Sequence, residues 1–132
     1  LLSRVIPGGP IARAAKEGVA VLTDPAITGC VIVTLPETLP VTEAQELQRG
    51  LAGHGLHVSA IVINRVPADP FTPEQWQAID ALPPTMLGVR EARRIRRAGE
   101  AIKLLPTAVQ LPEISGAPGD AGSVTRALER GL

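Results

Sequence analysis

The stretch "VTLPETLPVTEAQEL", residues 33–47, decides the architecture. It begins as the end of a β-branched apolar run, breaks at Pro36-Glu37, and restarts with apolar positions at helical spacing. The run "CVIVTL", residues 30–35, is short and continuous, as in a strand covered on both faces. Ala44, Leu47 and Leu51 then share one side of a helix reaching to about residue 53, which Thr42 and Gln45 are expected to open as a capping-box pair. A proline and a glutamate therefore stand at the carboxyl end of the most apolar strand. That end is where open parallel sheets bind ligands.

Reading outward, "PIARAAKEGVAVL" (10–22) is an Ala-rich helical segment ended by Thr23-Asp24-Pro25. Gly53 and Gly55 close the helix after the Pro-Glu step, and "HVSAIVI" (57–63) is a second β-branched strand. Thr72-Pro73-Glu74-Gln75 reads as a helix start with proline at the first helical position; that helix carries Trp76 and Ile79 and stops at Pro83-Pro84. A longer helix is expected over about 87–104, a third strand at "TAVQL" (107–111), and a final helix marked by Val124 and Leu128. The order α-β-α-β-α-α-β-α predicts an α/β fold: parallel strands with helices on both faces of the sheet. Three strands are few for that architecture and describe half a sheet, with an unpaired edge that favours self-association.

Composition sets the outer limits. The chain has 132 residues, one domain's worth, and a net charge of zero, so no global field attracts nucleic acid or an anionic membrane. Aromatic residues make up only 2% against 45% hydrophobic, which leaves an aliphatic core. The lone Cys30 can build neither a disulfide framework nor a cysteine zinc site and reads as a buried thiol. No apolar run is long enough for a membrane span and no signal peptide is evident, so a cytoplasmic location is expected. The opening "LLSRVIPGGP" has no methionine and starts mid-element, as a processed chain or part of a longer one would.

The three strands end in Leu35-Pro36-Glu37, Ile63-Asn64-Arg65 and Leu111-Pro112-Glu113. An asparagine amide presents a donor and an acceptor together, which suits the edge of a nucleobase. A proline after a strand fixes a rigid turn whose backbone can approach a purine ring. Ordinary turn chemistry, which also favours Pro and Asn, is the competing explanation.

Residues 22–66, "LTDPAITGCVIVTLPETLPVTEAQELQRGLAGHGLHVSAIVINRV", resemble the middle of the ArsA/GET family of anion-transporting and tail-anchored-protein-targeting ATPases. The matching positions are Asp24, Pro25, Thr28, Val33, Pro36, Glu37, Leu39, Glu43, Leu47, Leu51 and Asn64, with the spacing from Pro-Glu to the asparagine strand also in agreement. The tail "AVQLPEISGAPGDAGSVTRAL" is more weakly similar to the family's adenine loop and closing helix. The resemblance implies a three-layer P-loop NTPase-type (SIMIBI-like) sheet, of which residues 1–132 would be a single domain forming the C-terminal half. It implies that Asn64 contacts adenine and that Pro112 lies beside the base, with Arg65 and Glu113 among the nucleotide-binding residues. Pro36 and Glu37 would face the nucleotide or a dimer interface.

Phosphate chemistry is missing from the same residues. The only lysines, Lys16 and Lys103, belong to no Gly-Lys-Ser/Thr motif. In the family the P-loop, the water-orienting aspartate and the switch regions precede the matched stretch. The implied function is thus the adenine-recognition portion of an ATPase that couples ATP hydrolysis to anion export or protein targeting. ATP and Mg²⁺ would be held only together with an upstream P-loop portion, the working form would be a homodimer, and a membrane transporter would be a partner. Alone, residues 1–132 are expected to be inactive, with no catalytic residue of their own. An alternative is a catalytically empty interaction module that dimerises with an ATPase; a third is an ATPase of the septum-positioning or plasmid-partition type, against which the Pro-Glu-Thr-Leu-Pro-Val-Thr-Glu run argues.

Other constellations carry less. Arg90, Arg93, Arg94 and Arg97 share one face of a helix and are expected to be a solvated, salt-bridged surface, with a phosphate or interface contact as the weaker reading. Without interleaved aromatics they do not suggest nucleic acid. His54 and His57 read as exposed loop residues, and no metal site is expected. The one Met86, Phe71 and Trp76 are too few for a groove that holds a hydrophobic tail anchor.

Overall fold

A computed structural model of the chain describes residues 9–114 together with Gly122 and Thr125. Seven elements follow one another: α1 (Pro10–Thr23), β1 (Cys30–Thr34), α2 (Thr38–Gly53), β2 (Val58–Val66), α3 (Pro73–Asp80), α4 (Leu87–Ile102) and β3 (Val109–Pro112). The expected α/β order is present, and the final helix marked by Val124 and Leu128 lies outside the described residues. The sheet is three-stranded and fully parallel in the order β1-β2-β3, so β2 is the central strand.

Registry places Ile32 opposite Ile61 and Thr34 opposite Ile63 on one face of the sheet. These residues are buried, and Ile32, Ile61 and Ile63 form the aliphatic core with Val41 and Ala44 of α2, Ala101 of α4 and Leu105. Val31 and Val33 alternate onto the other face, where they are 56% and 63% exposed; Val109, opposite Val62, is exposed with them. Helix α1 buries none of its residues. Among the described residues, therefore, one face of the sheet is packed and the other is open. The helices that the element order predicts on both faces are packed on one face among the described residues.

Local chemistry explains most boundaries. The hydroxyl of Thr72 accepts from Gln75 N–H and the Gln75 side chain accepts from Thr72 N–H, the reciprocal cap expected at α3, with Pro73 in the first turn. Helix α2 ends in a Schellman arrangement, Leu56 N–H to Leu51 O and Gly55 N–H to Ala52 O, which requires the left-handed Gly55 (φ 77°). At Gly29, a Cβ would meet the Ser59 hydroxyl, which would have to rotate away. Trp76 donates to Asp69 and packs edge-on against Phe71, while Arg96 stacks over its ring at 4.2 Å and bonds Asp80, tying α3 to α4.

Several details differ from the sequence reading. Helix α2 starts at Thr38, not Thr42, because Pro36 turns the chain early; Thr42 instead donates to Thr38 O and Gln45 reaches Leu104 O. Leu47, expected on the buried side, is 51% exposed, since Val41 and Ala44 provide the α2 contact with the sheet. Cys30 is half-buried, because β1 is an edge strand. His54 and His57 are exposed as expected, and His54 Nδ1 bonds Gly50 O.

The fully buried Ile63 is the residue on which the packed face closes. Replacing it with Ala should lower unfolding stability by about 2–5 kcal/mol, measured by urea titration of the folded chain. A loss below 1 kcal/mol would show that this core does not hold the sheet.

Candidate functional site

The strand ends are shaped by two unusual pieces of backbone. After β1, Glu37 N–H bonds Leu35 O at 2.8 Å across Pro36, a three-residue inverse turn whose central φ proline supplies without cost. Pro36 is buried in that turn and Glu37, in extended conformation, becomes the N-cap residue of α2. Its carbonyl accepts from Val41 N–H, which starts the helix, while its exposed side chain makes no cap hydrogen bond. The proline thus joins strand to helix in one step and places the Glu37 carboxylate at the strand end.

At the end of β2, Arg65 adopts φ 60°, a left-handed conformation unusual for a residue other than glycine. The asparagine before it stabilises the bend: Asn64 Oδ1 accepts from Arg65 N–H at 2.9 Å. The ladder to β3 slips at the same point, between Ile63 and Val66, and resumes with Val66 opposite Pro112. Glu113 N–H bonds Val66 O at 2.8 Å, extending the pairing one residue beyond β3.

These turns bring the side chains into a line. Arg65 Nη2 lies 3.4 Å from Glu113 Oε1, and Arg94 Nη2, from α4, lies 2.8 Å from Glu113 Oε2. Arg94 also bonds Glu91 at 2.7 Å. Glu113 consequently links two strand ends to a helix. The Arg94 hydrogen bond, with smaller help from Arg65, holds the Glu113 carboxyl below the usual carboxylate range against its partial burial, and the two carboxylates raise Arg94.

A cleft of about 690 Å³ opens over this line, bounded by Pro36, Glu37 and Thr38 on one side and by Arg65, Arg94, Arg97 and Glu113 on the other. Four of the six residues singled out from the sequence, Pro36, Glu37, Arg65 and Glu113, therefore meet in one place. Asn64 does not join them. It is half-buried and lines a neighbouring depression of about 430 Å³ with Val33, Leu35, Pro40 and Leu47. Its Oδ1 already accepts from Arg65 N–H, which leaves one lone pair and the Nδ2 donor for other partners. Pro112 is half-buried beside Val66.

Sequence reasoning grouped Arg94 with Arg90, Arg93 and Arg97, with a phosphate or interface contact as the weaker reading, and did not pair it with Glu113 or Glu91. The i, i+3 spacing of Glu91 and Arg94 signals a helical ion pair, but the contact with Glu113 spans 19 residues and depends on how α4 lies against β3. No group of three or more potential metal ligands occurs among the described residues, and no described helix is long and apolar enough to cross a membrane.

A family model described as anion-transporting ATPase matches residues 12–81, just over half of the chain, from α1 to the end of α3. That span contains Pro36, Glu37, Asn64 and Arg65 but not Pro112 or Glu113. No curated protein matches the chain.

Glu113 gives the site a pH signature. Its carboxyl titrates lower in the folded than in the unfolded chain, so its contribution is fully present above the unfolded value and is lost as pH falls through the folded one. Glu113→Gln should flatten the decline of stability on acidification below about pH 5, read from urea midpoints across a pH series. A variant that loses stability with acid as steeply as the parent would remove Glu113 from the linkage.

Proposed function

The chain belongs to the anion-transporting ATPase family, and from that premise we propose that it supplies the adenine-recognition part of an ATP site. The observation that supports this reading is the alignment of Pro36-Glu37, Asn64-Arg65 and Pro112-Glu113 at the carboxyl ends of three adjacent parallel strands. That is the position ligands occupy in open α/β sheets. The half-buried Asn64 offers an unoccupied amide donor to a ring nitrogen, and Pro112 offers an apolar edge to the base. These groups fit a purine.

They do not fit a triphosphate with its magnesium ion. Phosphate binding calls for a glycine-rich turn with lysine and Ser/Thr, and neither Lys16 nor Lys103 stands in such a turn. ATP and Mg²⁺ are bound, in this proposal, jointly with a P-loop portion upstream of these residues, in a protein that couples hydrolysis to movement of an anion or delivery of a protein. Residues 1–132 would form the C-terminal part of that domain. The same proposal makes the working form a homodimer, with Pro36 and Glu37 on the nucleotide side or at its interface, and assigns it a cytoplasmic location and a membrane transporter as partner.

Asn64→Ala, made in the protein containing both portions, should weaken ATP binding by about 1–3 kcal/mol, roughly 5- to 150-fold in Kd by calorimetric titration. Unchanged affinity would overturn the assignment of the base to this strand end.

A further inference from the structure

Helix α4 carries five arginines within eight residues, and they divide into two groups. Arg94 is engaged by Glu91 and Glu113, and Arg96 by Asp80 and the Trp76 ring. Arg90, Arg93 and Arg97 are exposed and have no carboxylate partner among the described residues. The nearby acids are already used: Glu91 and Asp80 as above, and Glu100 by Lys103. The expected salt-bridged surface is therefore only half balanced. Among the described residues three guanidinium groups thus lack a carboxylate along about 10 Å of helix, Arg97 Nε donating only to Arg93 O, on a chain whose net charge is zero.

The same side of α4 ends in an apolar tip. Leu87, one turn before Arg90, is 81% exposed, the most exposed large apolar residue described, and the preceding Met86 is 49% exposed. Leu87, Arg90, Arg93 and Arg97 line one open groove together with the paired Glu91, Arg94 and Arg96. Val89, Ala92, Ala98 and Ala101 of the same helix are buried, while Arg90, Arg93 and Arg97 are exposed.

Guanidinium groups alone would suit any polyanion. An anionic layer over a hydrocarbon interior matches both the charges and the apolar tip beside them. Single-stranded nucleic acid would instead call for stacking aromatics, and Trp76 is covered by Arg96. We propose that the arginine face of α4, with Leu87 at its tip, docks on an anionic bilayer surface. The guanidinium groups pair with lipid phosphates and carboxylates while Leu87 and Met86 enter the headgroup region. Arg97 also lines the strand-end cleft, so a docked membrane would lie next to that site.

The test is flotation of the full chain with vesicles of phosphatidylcholine alone or with about one third phosphatidylserine. The chain should float with the anionic vesicles, not with the neutral ones, and be released as salt is raised. The combined Arg90→Glu, Arg93→Glu and Arg97→Glu variant should bind at least tenfold less. Leu87→Ser should bind several-fold less with unchanged circular dichroism, and it stands as a separate check should the triple variant fail to fold. Equal flotation on both vesicle types, binding unaffected by either variant, or capture by an acidic polypeptide without vesicle binding would each overturn the proposal.

Discussion

The left-handed turn at Arg65 is the constraint on which the strand-end geometry depends. A central parallel strand that ran straight would send Asn64 and Arg65 to alternate faces and continue its ladder to β3 without interruption. With φ at 60°, the ladder slips after Ile63 and re-pairs at Val66 and Pro112, and Glu113 comes within reach of Arg65. Such a conformation is costly for a residue with a side chain, so the surroundings must hold it. Here the Asn64 side chain accepts the Arg65 N–H and Glu113 faces the Arg65 guanidinium. The exposed 3.4 Å ion pair contributes little by itself. The local side-chain-to-backbone bond and the renewed pairing are the stronger restraints.

From that bend the coupling runs into α4. Glu113 is half-buried between two arginines, one from β2 and one from α4, so a shift of either element is felt by the other through one carboxylate. Arg94 is the better partner: it is closer and is itself oriented by Glu91. A ligand at the strand ends and a partner on the outer side of α4 would thus act on the two ends of one short chain of charges. Family membership and the position of Glu113 arise from different parts of the sequence, since the matched span ends at residue 81.

The sequence disclosed those features whose causes are local. Thr72-Pro73-Gln75 announces its own cap, Gly55 its left-handed turn, and the β-branched runs their strands, although β2 continues to Val66 where the apolar pattern stops at Ile63. The strand-end residues were readable because turn formers interrupt apolar runs there. What could not be read depends on register or on distant packing. Thr42 and Gln45 have the composition of a cap, but Pro36 starts the helix a turn earlier and leaves them inside it. Leu47 has the right spacing for the core, yet β1 is an edge strand and gives it nothing to cover. The division of the α4 arginines into those with and those without a carboxylate among the described residues was likewise hidden, because Asp80 and Glu113 approach them from other elements.

The central claim is that these three strand ends receive the base of a nucleotide, and the most direct measurement is photolabelling with an azidoadenine nucleotide followed by peptide mapping. In the protein that also contains the phosphate-binding portion, label should appear on the peptides carrying Asn64-Arg65 and Pro112-Glu113 and be suppressed by excess ATP. ATP-protected label confined to other peptides would contradict it, and the strand ends would then be turns that end a sheet.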